Sequence, residues 1–484
     1  MRACTTIPSK QALSVLILLL LSRSHRSNAG LPFGLPSSEQ IGGTTKDREL
    51  SFFNANEVME YETDVAIVGG GLAGLALWIG IATHLPDCRV VLMERQSHFE
   101  RAGATLGSAA NGVRALNELA DDPHFVQTKI HPHGRDMMPH ENIPVYVLPW
   151  CIVRDALLDR AQELAKKAKT QTAAVGSGNG GTTATTTTHP CRLEFWKGIE
   201  IHKLVQRRNH VELELSNADG ATIRVRSKLV VGCDGVQSTV RSFLGRKPAE
   251  DLGVRVWRGT IQVNDLKKKH KKAHKALKPL LTQGYAPFIL RDPNDALSYV
   301  VVFNHHECVP GLLLWQMGTP NPDDATVTKF LVDDVQDPNQ KDILEALFCY
   351  TPNILHTKLR TINMDRISDK PADKVTQGWG GTKRVTLIGD AAHACRPTDG
   401  QGANMAFEDA CVLVRSLKKK KKVERTNSTS LFLENIDDLV LQFENERRPR
   451  VKRIHQDQAE RALKQGKDWT RWSDEFMEWV YSGV

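Results

Sequence analysis

Asp64-Val65-Ala66-Ile67-Val68-Gly69-Gly70-Gly71-Leu72-Ala73-Gly74 is the stretch on which the fold turns. Its apolar, mostly β-branched run reads as a buried parallel strand. That strand passes directly into G-x-G-x-x-G at Gly69, Gly71 and Gly74, with Leu75-Ala76-Leu77-Trp78-Ile79 continuing as helix. Each glycine has its own physical role. Gly69 permits the tight turn, Gly71 lets backbone approach a pyrophosphate, and Gly74 lets helix and strand pack closely. The helix N-terminus at Leu72 and Ala73 offers unpaired N–H groups and a positive dipole end. A second apolar strand, Arg89-Val90-Val91-Leu92-Met93, ends at Glu94. That acid lies about 20 residues past the last glycine, the distance at which a carboxylate accepts from a ribose hydroxyl. Strand, glycines, helix, strand and acid in this order predict a dinucleotide site, without saying which dinucleotide.

At 484 residues the chain has room for two domains or one large α/β unit with insertions. The formal net charge is +8, and much of the excess sits in two runs, Lys267-Lys268-Lys269-His270-Lys271-Lys272 and residues 418–422. No aromatic residues interleave them, so a nucleic-acid surface is not expected. Solvated faces and peripheral contact with an anionic membrane both fit. The nine cysteines form no C-x-x-C pair and, with the histidines, no zinc-ligand spacing, so neither a disulfide framework nor a metal site is expected. His131, His133 and His140 lack companion ligands and read as loop histidines.

Residues 12–21 form an apolar core preceded by Arg2 and Lys10, too short to span a membrane, and Ser27-Asn28-Ala29 offers a small-residue cleavage site. A secretory signal is expected. The absence of acids before Glu39 also suits an organelle presequence of mitochondrial or plastid type. The sequon Asn427-Ser428-Thr429 matters only if the chain enters the secretory pathway.

Further along, residues 109–120 carry a helical apolar period, 145–148 read as a strand, and 153–168 as a helix bearing Arg154. Residues 171–189 are Thr/Gly/Ala-rich and read as a disordered insertion. A strand pair at 200–205 and 211–215 precedes a second buried strand with an unusual exit, Leu229-Val230-Val231-Gly232-Cys233-Asp234-Gly235. From Val254 to about Thr361 the pattern is mainly strands, whose Trp257, Phe288, Tyr299, Phe303 and Trp315 suit either a pocket wall or plain core. A third buried strand ends in Gly389-Asp390-Ala391-Ala392-His393. It leads to Pro397 and the loop Gly400-Gln401-Gly402-Ala403-Asn404, which opens a helix and can lay backbone N–H groups against a flat, partly anionic ring. Residues 431–484 read as charged amphipathic helix.

Three strand-exit motifs in this order resemble the single-component flavin monooxygenases, the group of aromatic-ring hydroxylases, salicylate-hydroxylase-like enzymes and zeaxanthin epoxidase. Gly69-x-Gly71-x-x-Gly74 with Glu94-Arg95 resembles the ADP-binding fingerprint. Asp234-Gly235 resembles the motif near both the FAD pyrophosphate and NAD(P)H, and Gly389-Asp390 the motif whose aspartate holds the ribityl chain. Arg154 matches an FAD-contacting arginine, and Asp365-Arg366, Trp379 and Glu446-Arg447-x-x-Arg450 also fit the spacing. The resemblance covers roughly residues 64–461.

It implies an α/β fold with a discontinuous Rossmann-like FAD-binding domain, an inserted mixed or antiparallel β-sheet substrate domain, and C-terminal helices. The boundaries expected are 1–60 for targeting and linker; 61–250 and 379–425 for the FAD-binding domain, the first part including some of the substrate sheet; 251–378 for the substrate sheet; and 426–484 for the helical region. It also implies FAD, with NADPH or NADH as transient donor, and a flavin hydroperoxide delivering oxygen to an apolar aromatic or isoprenoid-like substrate. No catalytic side chain is implied, and His393 reads as structural. A related flavoenzyme without oxygen insertion, or a flavin-binding protein without turnover, stays open as an alternative.

Overall fold

The computed structural model describes residues 59–98, 104–130, 146–175, 193–284, 286, 288–291, 298–320, 335–364, 379, 383–397, 400–424, 436–463 and 474–483. Outside them lie the expected targeting segment, His131, His133 and His140, most of the Thr-rich insertion, Asp365-Arg366, and the sequon at Asn427.

The first half runs β1 (Met59–Val68), α1 (Leu72–His84), β2 (Val90–Glu94), β3 (Thr105–Ser108), α2 (Ala110–Ala120), β4 (Tyr146–Pro149), α3 (Trp150–Val175), β5 (Leu193–Lys197), β6 (Glu200–Gln206), β7 (Val211–Ser216), β8 (Thr222–Gly232) and α4 (Thr239–Phe243). The second half runs β9 (Glu250–Gln262), α5 (Val263–Lys269), α6 (Lys271–Leu277), β10 (Phe288–Arg291), β11 (Tyr299–Asn304), β12 (Leu312–Thr319), α7 (Pro338–Tyr350), β13 (Ile354–Thr361), β14 (Val385–Leu387), α8 (Asp390–His393), α9 (Gln401–Glu424), α10 (Ile436–Leu463) and α11 (Asp474–Ser482).

A seven-stranded sheet in the order β5-β2-β1-β8-β7-β6 is the frame, with β14 also on β8. The long β8 serves two partners on one edge: residues 222–227 pair antiparallel with β7, and 230–232 pair parallel with β14. Val65, Ala66, Ile67, Val230 and Val231 are fully enclosed, as continuous β-branched runs require when both faces are covered. Buried helix α1 lies between this sheet and α9, with Leu75, Leu77, Ile79 and Ile81 all enclosed, each contributing about 1.5–3 kcal/mol. Gly80 makes this possible: a Cβ there would sit 2.3 Å from Leu119 of α2 and 2.9 Å from Val414 of α9.

The second sheet is antiparallel, in the order β10-β11-β12-β9-β13. Trp257, Ile261, Val300, Val302, Leu313 and Trp315 form one core with Leu277, Leu347 and Phe348 from α6 and α7. Strands β3 and β4 form a separate two-stranded ribbon.

Several sequence expectations shift. Strand β1 begins at Met59 rather than after Glu60, because Met59–Thr63 extend the pairing with β8. Helix α3 continues to Val175, so the first five residues of the Thr-rich stretch are helical. The region from Val254 to Thr361 holds α5, α6 and α7 as well as strands. Among the described residues no helix is long and apolar enough to cross a membrane, and no group of His, Cys, Asp and Glu forms a metal-holding cluster.

Candidate active site

The C-terminal ends of β1, β8 and β14 meet at one edge of the large sheet. Gly69 adopts φ +107°, and a Cβ on it would lie 2.5 Å from the Cys233 carbonyl oxygen. A Cβ on Gly74 would lie 2.0 Å from the Gly69 carbonyl. At Gly71, the N-cap of α1, nothing lies within 4 Å of the added atom. Two of the glycines are therefore demanded by packing, and the third borders open space. Leu72 is buried and Ala73 half-buried at the first turn. The Glu94 carboxylate accepts from Gly70 N–H at 2.7 Å and Gln96 N–H at 2.8 Å, tying the end of β2 to the glycine loop, while Arg95 is exposed.

At the β8 end, Asp234 caps α4, accepting from Ser238 Oγ at 2.5 Å, Thr239 N–H at 2.7 Å and Val240 N–H at 3.1 Å. Burial pushes its carboxyl pKa up, against these hydrogen bonds, which pull it down. Gly235 turns away at φ +76°, bordering open space. Arg241 reaches the neighbouring strand end, donating from Nη1 to the Ala391 and Ala392 carbonyls at 3.3 and 3.4 Å. Burial, then nearby Arg246, lowers its pKa to about 10.

At the β14 end, Gly389 adopts φ +60°, and a Cβ on it would lie 3.2 Å from Ala73 Cβ. Asp390 has no hydrogen-bonding or ionic partner among the described residues, and its Oδ1 lies 3.9 Å from where a Gly402 Cβ would stand. The carboxylate is open to solvent yet walled by dense protein, and this desolvation raises its pKa against the opposing pull of His393. Arg396 is half-buried, has no partner among the described residues, and has its pKa lowered by burial.

His393 is buried, with Nε2 2.6 Å from Asp409 Oδ2 and its ring 5.0 Å from that of Trp379. Asp409 also accepts from Gly389 N–H at 2.9 Å and Arg447 Nε at 2.7 Å. Arg447 and Arg450 both pair with Glu408, which accepts in addition from Asn111 Nδ2 at 2.8 Å. Of the expected Glu446-Arg447-x-x-Arg450 set, the arginines belong to this network and Glu446 is exposed. Sequence reading missed their partners Asn111, Glu408 and Asp409, whose pairings cross 38 residues or more.

Gly400, at φ +65°, packs against Gly107 of β3, where an added Cβ would be 3.6 Å from the Gly107 Cα. Pro397 is exposed, and Gly402 and Ala403 are half-buried. Asn404 and Gln401, expected beside them as cofactor contacts, are fully enclosed. The Asn404 amide donates to the Gly107 and Gly400 carbonyls at 2.8 and 2.7 Å and accepts from Ala109 N–H at 3.0 Å. Gln401 accepts from Asn111 Nδ2 at 3.1 Å. The Asn404 side chain therefore holds the loop itself, whereas Gln401 ties the loop to α2 through its oxygen and keeps a buried Nε2 with no partner among the described residues. Arg154 is buried, bonded to Asp155 at 2.7 Å and stacked 4.9 Å from the Trp150 ring.

The antiparallel sheet joins this region at both ends. Thr361 Oγ1 and Ile362 N–H donate to the Ala394 carbonyl, and His305 Nε2 lies 3.1 Å from Thr105 Oγ1 of β3. Of the aromatics named from sequence, Trp257, Phe288 and Trp315 are core against α5–α7, whereas Tyr299 and Phe303 lie on the opposite face, half-buried.

Residues 62–458 match the family model described as an FAD binding domain. Monooxygenase 1 of Arabidopsis thaliana is 24% identical over 405 residues, covering 81% of this chain and 87% of that protein. A salicylate hydroxylase of Pseudomonas putida is 26% identical over 419 residues, covering 82% and 84%. The crystal structure of CtdE in complex with FAD and substrate 4 has the same fold, with a TM-score of 0.59 at 18% identity over 87% of this chain and 95% of that one.

Proposed function

As this chain belongs to the FAD-dependent monooxygenase family, we propose that it consumes NADH or NADPH and dioxygen to place one oxygen atom on a small aromatic substrate. The observation that carries the reading is the meeting of three strand ends around open backbone at Gly71 and Gly235 and an unpartnered carboxylate at Asp390. These features fit FAD. Bare backbone beside a helix N-terminus suits a pyrophosphate, and a carboxylate with no protein donor suits a hydroxylated chain.

When bound, FAD supplies the electron transfer and the activation of dioxygen. The chain positions and encloses. The N–H groups of Leu72, Ala73 and Gly74 would face the pyrophosphate, with Gly69 making the turn. Glu94 keeps lone pairs for a ribose hydroxyl after bonding Gly70 and Gln96, and Arg95 lies beside it. Asp390 would accept from the ribityl chain, and Gly389 shapes its turn. Asp234 holds the turn that presents Gly235. Pro397, Gly400, Gln401, Gly402 and Ala403 would lie along the ring system, the unpartnered Gln401 Nε2 being a spare donor there, while Asn404 fixes that loop. Arg154 would add a cation from the side of α3. The sheet face bearing Tyr299, Phe303 and Leu314 would close over the substrate and exclude water. A wholly apolar isoprenoid suits that face less well, because it also carries Arg258 and Gln316. The N-terminal residues 12–21 would direct the chain to a membrane-bounded compartment.

The test is a visible spectrum of the purified protein, followed by NADPH or NADH in air with panels of phenolic and isoprenoid compounds. Flavin bleaching accelerated by an aromatic compound, with a product heavier by one oxygen atom, is the expected result. A colourless protein that takes up no FAD, or a flavin that is reduced without an oxygenated product, overturns the reading.

A further inference from the structure

Cross-strand register assembles a polar row on the free face of the antiparallel sheet. Gln316 of β12 stands between Val301 of β11 and Arg258 of β9. Arg258 Nε donates to Gln316 Oε1 at 3.1 Å, and Gln316 Nε2 donates to Tyr299 OH at 2.5 Å. A guanidinium can only donate, so the amide oxygen must face Arg258 and its NH2 must face Tyr299. The relay thus fixes the Nε edge of Arg258 and leaves the two Nη groups without a partner among the described residues.

Buried arginines among the described residues are matched, and half-buried Arg396, beside the loop proposed to face the ring system, shares with Arg258 the lack of an anionic partner. Arg447 and Arg450 meet Glu408, Arg154 meets Asp155, and Arg384 meets backbone carbonyls. Arg258 is half-buried against a neutral amide, and burial, its largest influence, lowers its pKa. A partly desolvated cation without a counter-charge is costly, and an arriving planar anion removes that cost. The neighbours on this face are enclosed Val256 and Leu314, half-buried Thr260 and, directly across on β13, exposed Leu355, so the guanidinium has apolar walls and a way in from solvent. The two ends of the sheet are the ones tied to Ala394 and Thr105, so Arg258, in mid-strand, lies between the two attachments to the proposed cofactor region.

The geometry points to Arg258 as the anchor for an ionised acid group on the substrate, with Gln316 and Tyr299 as positioning residues, so that the substrate class is a small aromatic acid. This rests on the monooxygenase reading above and narrows it.

The experiment titrates the FAD-loaded protein, without NAD(P)H, by calorimetry and flavin absorbance with matched pairs: benzoate and benzamide, salicylate and salicylamide, 1-naphthoate and 1-naphthamide. At least one acid should bind roughly tenfold or more tighter than its amide. Arg258→Gln should abolish that preference by weakening acid binding far more than amide binding. Arg258→Lys should keep part of it, because charge remains but the two-pronged geometry is lost. Gln316→Leu should weaken acid binding severalfold. If R258Q fails to fold, R258K and Q316L decide. No acid exceeding its amide, or a preference unaltered in the variants, overturns the assignment. A protein that prefers the acids but never turns over with NAD(P)H overturns the monooxygenase reading alone.

Discussion

Asp409 accepts a 2.9 Å hydrogen bond from the backbone N–H of Gly389, twenty residues earlier, and so holds the left-handed turn from which Asp390 projects. The same carboxylate is 2.6 Å from His393 and 2.7 Å from Arg447. The turn proposed to hold the cofactor is thereby tied to the ionic core under α10. Asp409→Asn keeps an acceptor but leaves Arg447 with less counter-charge. The expected cost is about 3–5 kcal/mol in urea unfolding, with weakened FAD retention. Wild-type stability would refute the coupling.

The same network sets an acid limit. Burial, the largest single influence, raises the Asp409 and Glu408 pKa values, but Arg447 with His393 for the one and with Arg450 for the other outweighs it, and both carboxyls end below their ordinary range. A depressed carboxyl contributes stability above its unfolded pKa and loses it as pH falls. The contribution of this network should therefore be intact above roughly pH 5 and be lost steeply below about pH 4. Urea midpoints across that window measure it, and the decline should be shallower in the Asp409→Asn variant.

His305 predicts a second, separate slope. Burial lowers its pKa to about 4. A histidine depressed in the folded state contributes stability above its unfolded pKa of about 6.5, lost as pH falls toward 4. His305→Asn should flatten the stability profile between those values while leaving the steeper limb below. An unchanged profile would show that this imidazole titrates normally.

The glycines separate fold from binding. Gly74→Ala would force a Cβ to within 2.0 Å of the Gly69 carbonyl and should destabilise by about 1–3 kcal/mol. Gly71→Ala meets open space and should cost no more than about 1 kcal/mol as an N-cap change, while losing FAD. Thermal unfolding of the FAD-free forms beside an FAD titration distinguishes the two. A fold-neutral G74A would contradict the packing.

Asp390 should behave as a binding group that the FAD-free fold does not need. It has no protein partner among the described residues, and desolvation raises its pKa, so its ionisation disfavours the folded state as pH rises. Asp390→Asn should leave the FAD-free protein as stable as the wild type, or slightly more so, at neutral pH, with the difference vanishing in acid. FAD affinity should fall at least tenfold, about 1.4 kcal/mol. A destabilised FAD-free variant would mark the aspartate as structural.

The sequence by itself determined what depends on neighbours along the chain. Gly69, Gly71 and Gly74 sit between a β-branched run and a helix, and turn chemistry is local, so the strand–loop–helix unit was readable, as were the strand ends at Asp234 and Gly389. The mainly strand pattern from Val254 to about Thr361 was readable too, but its place as an inserted sheet came from the family resemblance. What only the tertiary structure decided depends on partners remote in sequence. Trp257 and Trp315 became core while Tyr299 and Phe303 took the other face, because the register of β9, β11 and β12 assigns faces that a period of two cannot name in absolute terms. Asn404 looked like a ligand contact but is spent on Gly107 and Ala109, nearly 300 residues away. The Arg258–Gln316–Tyr299 row had no signal at all in one dimension. Three strands must pair before a guanidinium, an amide and a phenol stand side by side, and only burial makes the unmatched charge costly enough to call for an anion.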